Sequence, residues 1–369
     1  IGSDLNDFES SQWMCFAASL AGHISNTAIE KGLKRYLKIR INDVPKELGD
    51  SEWSSNYELS ISSEDLIATF LWNQLGSPYT NLRWRAAHAV IRNGKFGNPN
   101  IIEKLIEKFE TTNALPFHSP DLPFYYHHAR LWLLISLSKI ATETPLALAP
   151  ISAKIIRLSE LASDHCLQKF YAVNTLQKIK DNDPSFSYSQ ELEEQKKLIT
   201  PIGTIERKVG SFPRANSYMG RSDDVPEPEL EFSFDYDFKK SEINHLGGLF
   251  GIHTWQVTDD MKNIISDWER SVNSTYECPR NISSSKRSYD EQQPYGYYLG
   301  YHALFVAAGK CVKAHPIIKS WSDETWEEWL KQYTLTGSWL SDSIDYFPSS
   351  LPASGINLEV YEETPSIKE

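Results

Sequence analysis

Cysteine is scarce in this sequence of 369 residues: Cys15, Cys166, Cys278 and Cys311 lie far apart, with no C-x-x-C pair and no Cys-His cluster at metal-ligand spacing. That excludes a disulfide-framed scaffold and a zinc ribbon, and it predicts reduced thiols in a reducing, cytoplasmic setting. Long apolar runs are also missing. Leu131–Leu137 and Ala303–Ala308 have the length of core segments, well short of the roughly 18–20 residues that span a bilayer, so no membrane partner is expected. No charged stretch followed by an apolar one opens the sequence, which argues against a signal peptide. Without secretion, the sequons at Asn273 and Asn281 carry no meaning. The phosphate-loop pattern G-x-x-x-x-G-K-[ST] is absent, Gly94-Lys95-Phe96-Gly97 failing to match it, as are the G-x-S-x-G elbow and the H-E-x-x-H zinc helix. No catalytic residue, cofactor or metal is therefore assigned.

Positive charge is in deficit too. The net charge is −12, and it is uneven: the first 200 residues balance at −2, whereas the remainder carries −10. Phosphate contacts need clustered Lys and Arg, so nucleic acid is a disfavoured partner. What the sequence does have is 40% hydrophobic residues and 45 aromatic ones (11 Trp, 18 Tyr, 16 Phe), enough for two or three folded domains. Its first residue, Ile1, and its last, Ser-Ile-Lys-Glu, read as cuts in a longer protein.

A helical phrase then occurs three times, at Leu82–Gly94, Ala129–Ala141 and Gln168–Ile179. Aligned without gaps, Ala86, Leu133 and Ala172 coincide, as do Val90, Leu137 and Leu176. Two basic positions coincide as well, Arg83/Arg130/Lys169 and Arg92/Lys139/Lys178. The intervals of 47 and 39 residues approximate the roughly 40–47 of HEAT or armadillo units. The predicted fold class is mainly α: a HEAT/armadillo-like α-solenoid followed by a smaller α+β module. Residues 1–62 form an N-terminal helical segment, with helices over Phe8–His23 and Thr27–Ile39. Residues 63–198 are the repeats, with helices near 63–75, 82–92, 101–109, 125–142, 148–162 and 165–180. Residues 199–228, rich in Pro and Gly, are a linker or long loop. Residues 229–369 are the C-terminal module. In it Glu229–Phe238 alternates apolar and polar residues as a strand does, helices follow near 241–250, 258–271, 297–315 and 325–333, and Ile356–Val360 forms a second strand.

Candidate functional residues are few. Arg85, His88 and Arg92 stand at i, i+3, i+7, one helix face that would meet a protein partner. The repeated basic side chains otherwise bond to the neighbouring repeat and hold the stack together. His127 and His128 are adjacent, so on a helix they diverge by about 100° and cannot readily chelate one metal; a capping or packing role is expected. Asp235 and Asp237 would share a strand face with the geometry for a divalent cation, or simply face solvent. Tyr298 and His302, four apart on a helix, complete a candidate ligand site with Asp235, or else belong to the core.

The stretch YYLGYHALFVAAGKCVKAHP (Tyr297–Pro316), the following WSDETWEEWL (Trp321–Leu330) and FSFDYDF (Phe232–Phe238) resemble a region near the C-terminal part of large bacterial NTPases of STAND or NACHT-like type, some of them used in antiviral defence. The resemblance covers roughly 230–345 and rests on aromatic rather than catalytic motifs. It implies a nucleotide-switch module upstream and a ligand-sensing role for the helical repeats, with a phage protein as the sensed partner. The expected function is non-catalytic protein recognition or scaffolding. The alternatives are a hydrolase-like enzyme with its site around Asp235, Tyr298 and His302, and a nucleic-acid-binding solenoid.

Overall fold

The computed structural model describes residues 62–97, 99–118, 122–162, 164–206, 228–235, 238–268, 274–275, 293–319 and 325–335, with isolated helical positions between 27 and 35 that fall inside the expected Thr27–Ile39 helix. The expected helix over Phe8–His23, the strand at Ile356–Val360 and Asp237 lie outside the described residues. Residues 61–369 form one compact unit and residues 1–60 another.

The larger unit is mainly helical. Helix α1 (Ser63–Leu75) starts where Ser62 Oγ accepts the Asp65 N–H at 3.2 Å, with Glu64 and Asp65 in the first turn facing the positive end of the helix dipole. It buries Ala68, Leu71, Trp72 and Leu75, and stops at Gly76, where a Cβ would meet the Phe124 ring at 2.4 Å. Helices α2 (Thr80–Lys95), α3 (Pro99–Lys108) and α4 (Tyr126–Glu143) follow. Pro145 and Pro150 fix φ and remove two donors, so the expected helix over 148–162 is replaced by two tight three-residue turns, and α5 begins only at Ser152 and runs to Leu161. Helix α6 (Cys166–Asn182) and the polar α7 (Ser189–Lys197) complete this run. The sequence offered no periodic signal for α7, which buries only Leu192 and Gln195.

Helices α2, α4 and α6 are the three copies of the repeated phrase, and they pack side by side in that order, α2 on α4 and α4 on α6. All six aligned apolar positions, Ala86, Leu133, Ala172, Val90, Leu137 and Leu176, are buried at 4% exposure or less. Helices α3, α5 and α7 form the second row: α5 packs on α6, and α7 on both. Gly94 of α2 permits a close crossing, since a Cβ there would meet Ile140 of α4 at 2.5 Å.

Beyond α7 the chain returns to the same core. β1 (Thr204–Glu206) pairs in parallel with β4 (Ile317–Lys319), Ile205 opposite Ile318, so part of the expected linker is a strand. β2 (Phe232–Ser233) pairs in parallel with β3 (Ser274–Thr275). Of the strand expected over 229–238, the described residues form only β2: the Lys239 N–H donates to Asp235 O at 2.8 Å, and the chain turns helical through the wide turn Lys239–Ile243 into α8 (Asn244–Phe250). The physical reason lies in the pattern itself, because alternation over Phe234 and Phe238 is also an i, i+4 spacing, and these rings pair at 6.0 Å. Helices α9 (Thr254–Trp268), α10 (Tyr295–Ala314) and α11 (Trp326–Gln332) follow, the last closed by a capping box between Thr325 and Glu328. Helix α10 is buried on most of its surface. It packs on α9 and on α6, and crosses the α5–α6 turn so closely that a Cβ on Gly309 would lie 1.7 Å from Asp164 O.

Candidate functional site

The densest cluster of titratable side chains lies where α10 meets the first turns of α4 and α6. Helix α4 brings His127 and His128, the N-cap of α6 is His165, and α10 brings His302; all four are buried. Gln293, just before α10, joins them, together with Arg83 of α2.

Three of the imidazoles form a linear chain. His165 Nε2 lies 2.9 Å from His302 Nδ1, His302 Nε2 lies 2.8 Å from His128 Nδ1, and His128 Nε2 lies 3.0 Å from Gln293 Oε1. Its two ends set the direction of every hydrogen. At one end the backbone N–H of Gln168 donates to His165 Nδ1 at 3.3 Å, so that ring carries its proton on Nε2. At the other end Gln293 Oε1 accepts from Arg83 Nη2 at 2.8 Å, so it also accepts from His128 Nε2. The only consistent filling is three neutral rings, each an Nε2–H donor and an Nδ1 acceptor.

Aromatic rings enclose the chain. Tyr125 and Tyr298 stack at 4.5 Å, Phe305 stacks on His165 at 5.6 Å, and Tyr298 meets His302 edge-on at 5.1 Å. The Tyr298 hydroxyl accepts the His127 backbone N–H at 3.2 Å. Burial is the first cause holding all four imidazoles below their ordinary pKa, His165 at about 3. Nearby positive charge adds to it: Arg83 acts on His128 and His302, and Arg130 on His127 and His165. Burial lowers Arg83 to about 10, still charged at neutral pH, and its guanidinium donates to Ser77 O, Thr80 Oγ1 and Gln293 Oε1. The His127 ring, between Tyr126 and Trp268 at 4.2 Å each, has no hydrogen-bond partner on either nitrogen.

This arrangement joins four elements, and all four of its imidazoles are buried. Among the described residues no three His, Cys, Asp or Glu converge on a metal; in the chain the His302 and His128 lone pairs accept from imidazoles and that of His165 from the Gln168 backbone. Cys166 and Cys311 are free and buried, and burial pushes both thiols up, Cys311 to about 12.

The first series of repeated basic residues has a shared job, bonding to a neighbouring element. Arg83 bonds across to Gln293, Arg130 Nε donates to Phe109 O at 2.8 Å, and Lys169 Nζ donates to Gln195 Oε1 at 3.0 Å. In the second series Lys139 pairs with Glu143 at 2.8 Å and Lys178 bonds Thr142 of the preceding copy. Of the expected partner-facing trio, Arg85 is exposed and Arg92 half-buried, but His88 is only 4% exposed beneath the Trp84 ring at 4.0 Å. Packing of α2 on its neighbours turns His88 inward, away from the exposed face that holds Arg85. Of the candidate ligand trio, Tyr298 and His302 are 0% exposed within the core, whereas Asp235 is half-buried at the turn before α8.

His165, Gln168 and Gln293 were not singled out by sequence reasoning. One signal was present: counting from the aligned basic position, His127, His128 and His165 all fall in the N-terminal turn of their repeat helix. Compared with known protein families and with curated proteins, the chain matches none.

Proposed function

We propose that this chain is a non-catalytic protein-recognition scaffold, its helix pairs stacked as a solenoid of HEAT-like repeats, and that it serves a larger bacterial protein of the STAND type as the part that senses a protein ligand, such as one from phage. One observation carries the reading. The side chains with chemical potential, four histidines, two cysteines and the basic residues Arg83, Arg130 and Lys169, are turned inward, and the histidine chain and these basic residues tie one element to the next. A hydrolase centred on Asp235, Tyr298 and His302 would need a substrate to reach two groups with no exposed surface. What remains outside is a row of helix faces bearing separate charges, Arg85 among them, which suits contact with a protein surface.

The test is capture of a partner from cells of the source organism, compared between the wild type and the double variant Arg85→Glu with Arg92→Glu. Rim charges act mainly on association rate and salt dependence. Capture is expected to weaken about tenfold in the variant while its melting temperature stays unchanged. Unaltered capture together with a lower melting temperature would place these arginines in the framework and move the contact surface elsewhere. Capture of nucleic acid with a steep salt dependence would favour the solenoid's other use.

A further inference from the structure

The histidine chain crosses between elements at every step. His302 of α10 is the link between His128 of α4 and His165 of α6, and Gln293, just before α10, carries the chain on to Arg83 of α2. Four contacts run from the Gln168 N–H to Gln293 Oε1, and four hydrogens fill them: one from the backbone and one from each imidazole. A further proton has no place. Wherever it is added, shifting the rings' hydrogens only moves the conflict along until two donors face each other at some contact. The two ends cannot absorb it, since one is a fixed backbone N–H and the other an oxygen already taking an arginine hydrogen.

We propose that this chain is a proton-sensitive latch, which holds α10 on the first turns of α4 and α6 while its imidazoles are neutral and lets α10 go when they are protonated.

The surroundings favour release over protonation in place. From α2 the chain faces Arg83; from α4, Tyr125, Tyr126 and Arg130; from α10, Tyr295, Tyr298 and Tyr301; and from α9, the uncharged Trp268 beside His127. The charges among these are positive. The carboxylates nearby are engaged elsewhere: Asp164 with Lys313, Glu110 with Arg130, Glu242 with Tyr333 and Asp260 towards Lys310. Among the described residues none acts on the four imidazoles. His127, in the same seat and without a hydrogen-bond partner, gains donors and acceptors from water once α10 leaves. In the released form each ring titrates near its ordinary value of about 6.5, so each proton taken up only there raises the opening constant about tenfold per pH unit below that value.

Two buried thiols report the opening, Cys311 on α10 and Cys166 at the start of α6. In the full chain, with Cys15→Ser and Cys278→Ser, their reaction with 4,4′-dithiodipyridine is followed from pH 7.5 to 5 and normalised to a peptide thiol. The latch predicts a rise of about fiftyfold or more between pH 6 and 5, two or more protons being involved, with most of the helical circular dichroism retained. A smaller rise overturns it, as does labelling that climbs only in step with loss of the helical signal. His302→Gln keeps a donor and an acceptor but cannot titrate in this range, and it should flatten the dependence by about tenfold per pH unit. An unchanged slope in a folded His302→Gln overturns the latch; should that variant not fold, the wild-type profile decides.

Discussion

At Gly309 the contact between α10 and the α5–α6 turn comes down to one hydrogen atom. A methyl group in its place would sit 1.7 Å from the Asp164 carbonyl oxygen, and a backbone oxygen in the turn that caps α6 cannot swing aside as a side chain can. Over-packing a well-fitted core costs about 1–3 kcal/mol, and here the upper end applies. Gly309→Ala is expected to destabilise the folded unit by about 3 kcal/mol, seen as a lower urea midpoint with an unchanged slope. A shift below about 0.5 kcal/mol would mean that the turn yields and that the Lys313–Asp164 ion pair, not the close crossing, seats the helix. The same scale explains the basic residues. Arg130 and Lys169 keep their charges in half- or wholly buried places because each finds an oxygen on a neighbouring element, and burial lowers the Lys169 ammonium to about 8.

Among the elements, the row α2, α4 and α6 carries the core, and its register is set by the small or branched residue at the aligned position. Ala86, Leu133 and Ala172 are buried between consecutive helices. Ala86→Asp places a carboxylate there with no cation provided for it, at a cost of about 3–5 kcal/mol. Thermal melting followed at 222 nm should show the loss, and an unchanged transition would mean that α2 can rotate to expose the position. Helix α4 is buried nearly all round, with His127, His128, Ser136 and Ser138 among its covered residues. Helix α10 is similar, which is why its one histidine ends in the core. The strand expected at 229–238 and the helix found after Asp235 show how an alternating run of Phe serves two periods, and the packing of Phe234 on Phe238 chose between them.

For the whole larger unit, four histidines buried in neutral form make its stability depend on pH with a definite sign. Their folded pKa values lie below the unfolded value of about 6.5, so unfolding takes up protons below that point. Their contribution is complete above about pH 6.5 and is lost as the pH falls from there towards the folded values, about 3 for His165. Each can remove up to about 1.4 kcal/mol per pH unit over that window. Urea titrations at pH 7.5, 6.5, 5.5 and 5.0 should show stability flat between the first two and falling by several kcal/mol by the last. A profile flat down to pH 5 would mean that the imidazoles are charged in the folded chain, against the hydrogen-bond pattern drawn from their neighbours.

How much of this was legible in the sequence follows from the range of the forces involved. The repeated phrase, the helix starts at Ser62 and Thr325, the breaks at Gly76 and the prolines, and the mainly helical class are written in spacings of three, four and seven residues, which act within one element. The inward role of Arg83, Arg130 and Lys169 was legible too, because repetition exposes a shared contact. Other decisions depended on partners more than a hundred residues away. β1 became a strand because Ile317–Lys319 lay beside it. His302 became a link because His128 and His165, 174 and 137 positions distant, presented matching nitrogens. His88 went inward and Arg85 outward through the rotation of α2 against its neighbours. The sequence alone determined most of the helical segments, α7 and the Phe234–Phe238 run apart, and which of their faces would be apolar, since those follow from local sterics and period. Only the tertiary structure decided which polar groups would meet inside, because a hydrogen bond is directional and short, and no spacing along the chain encodes it.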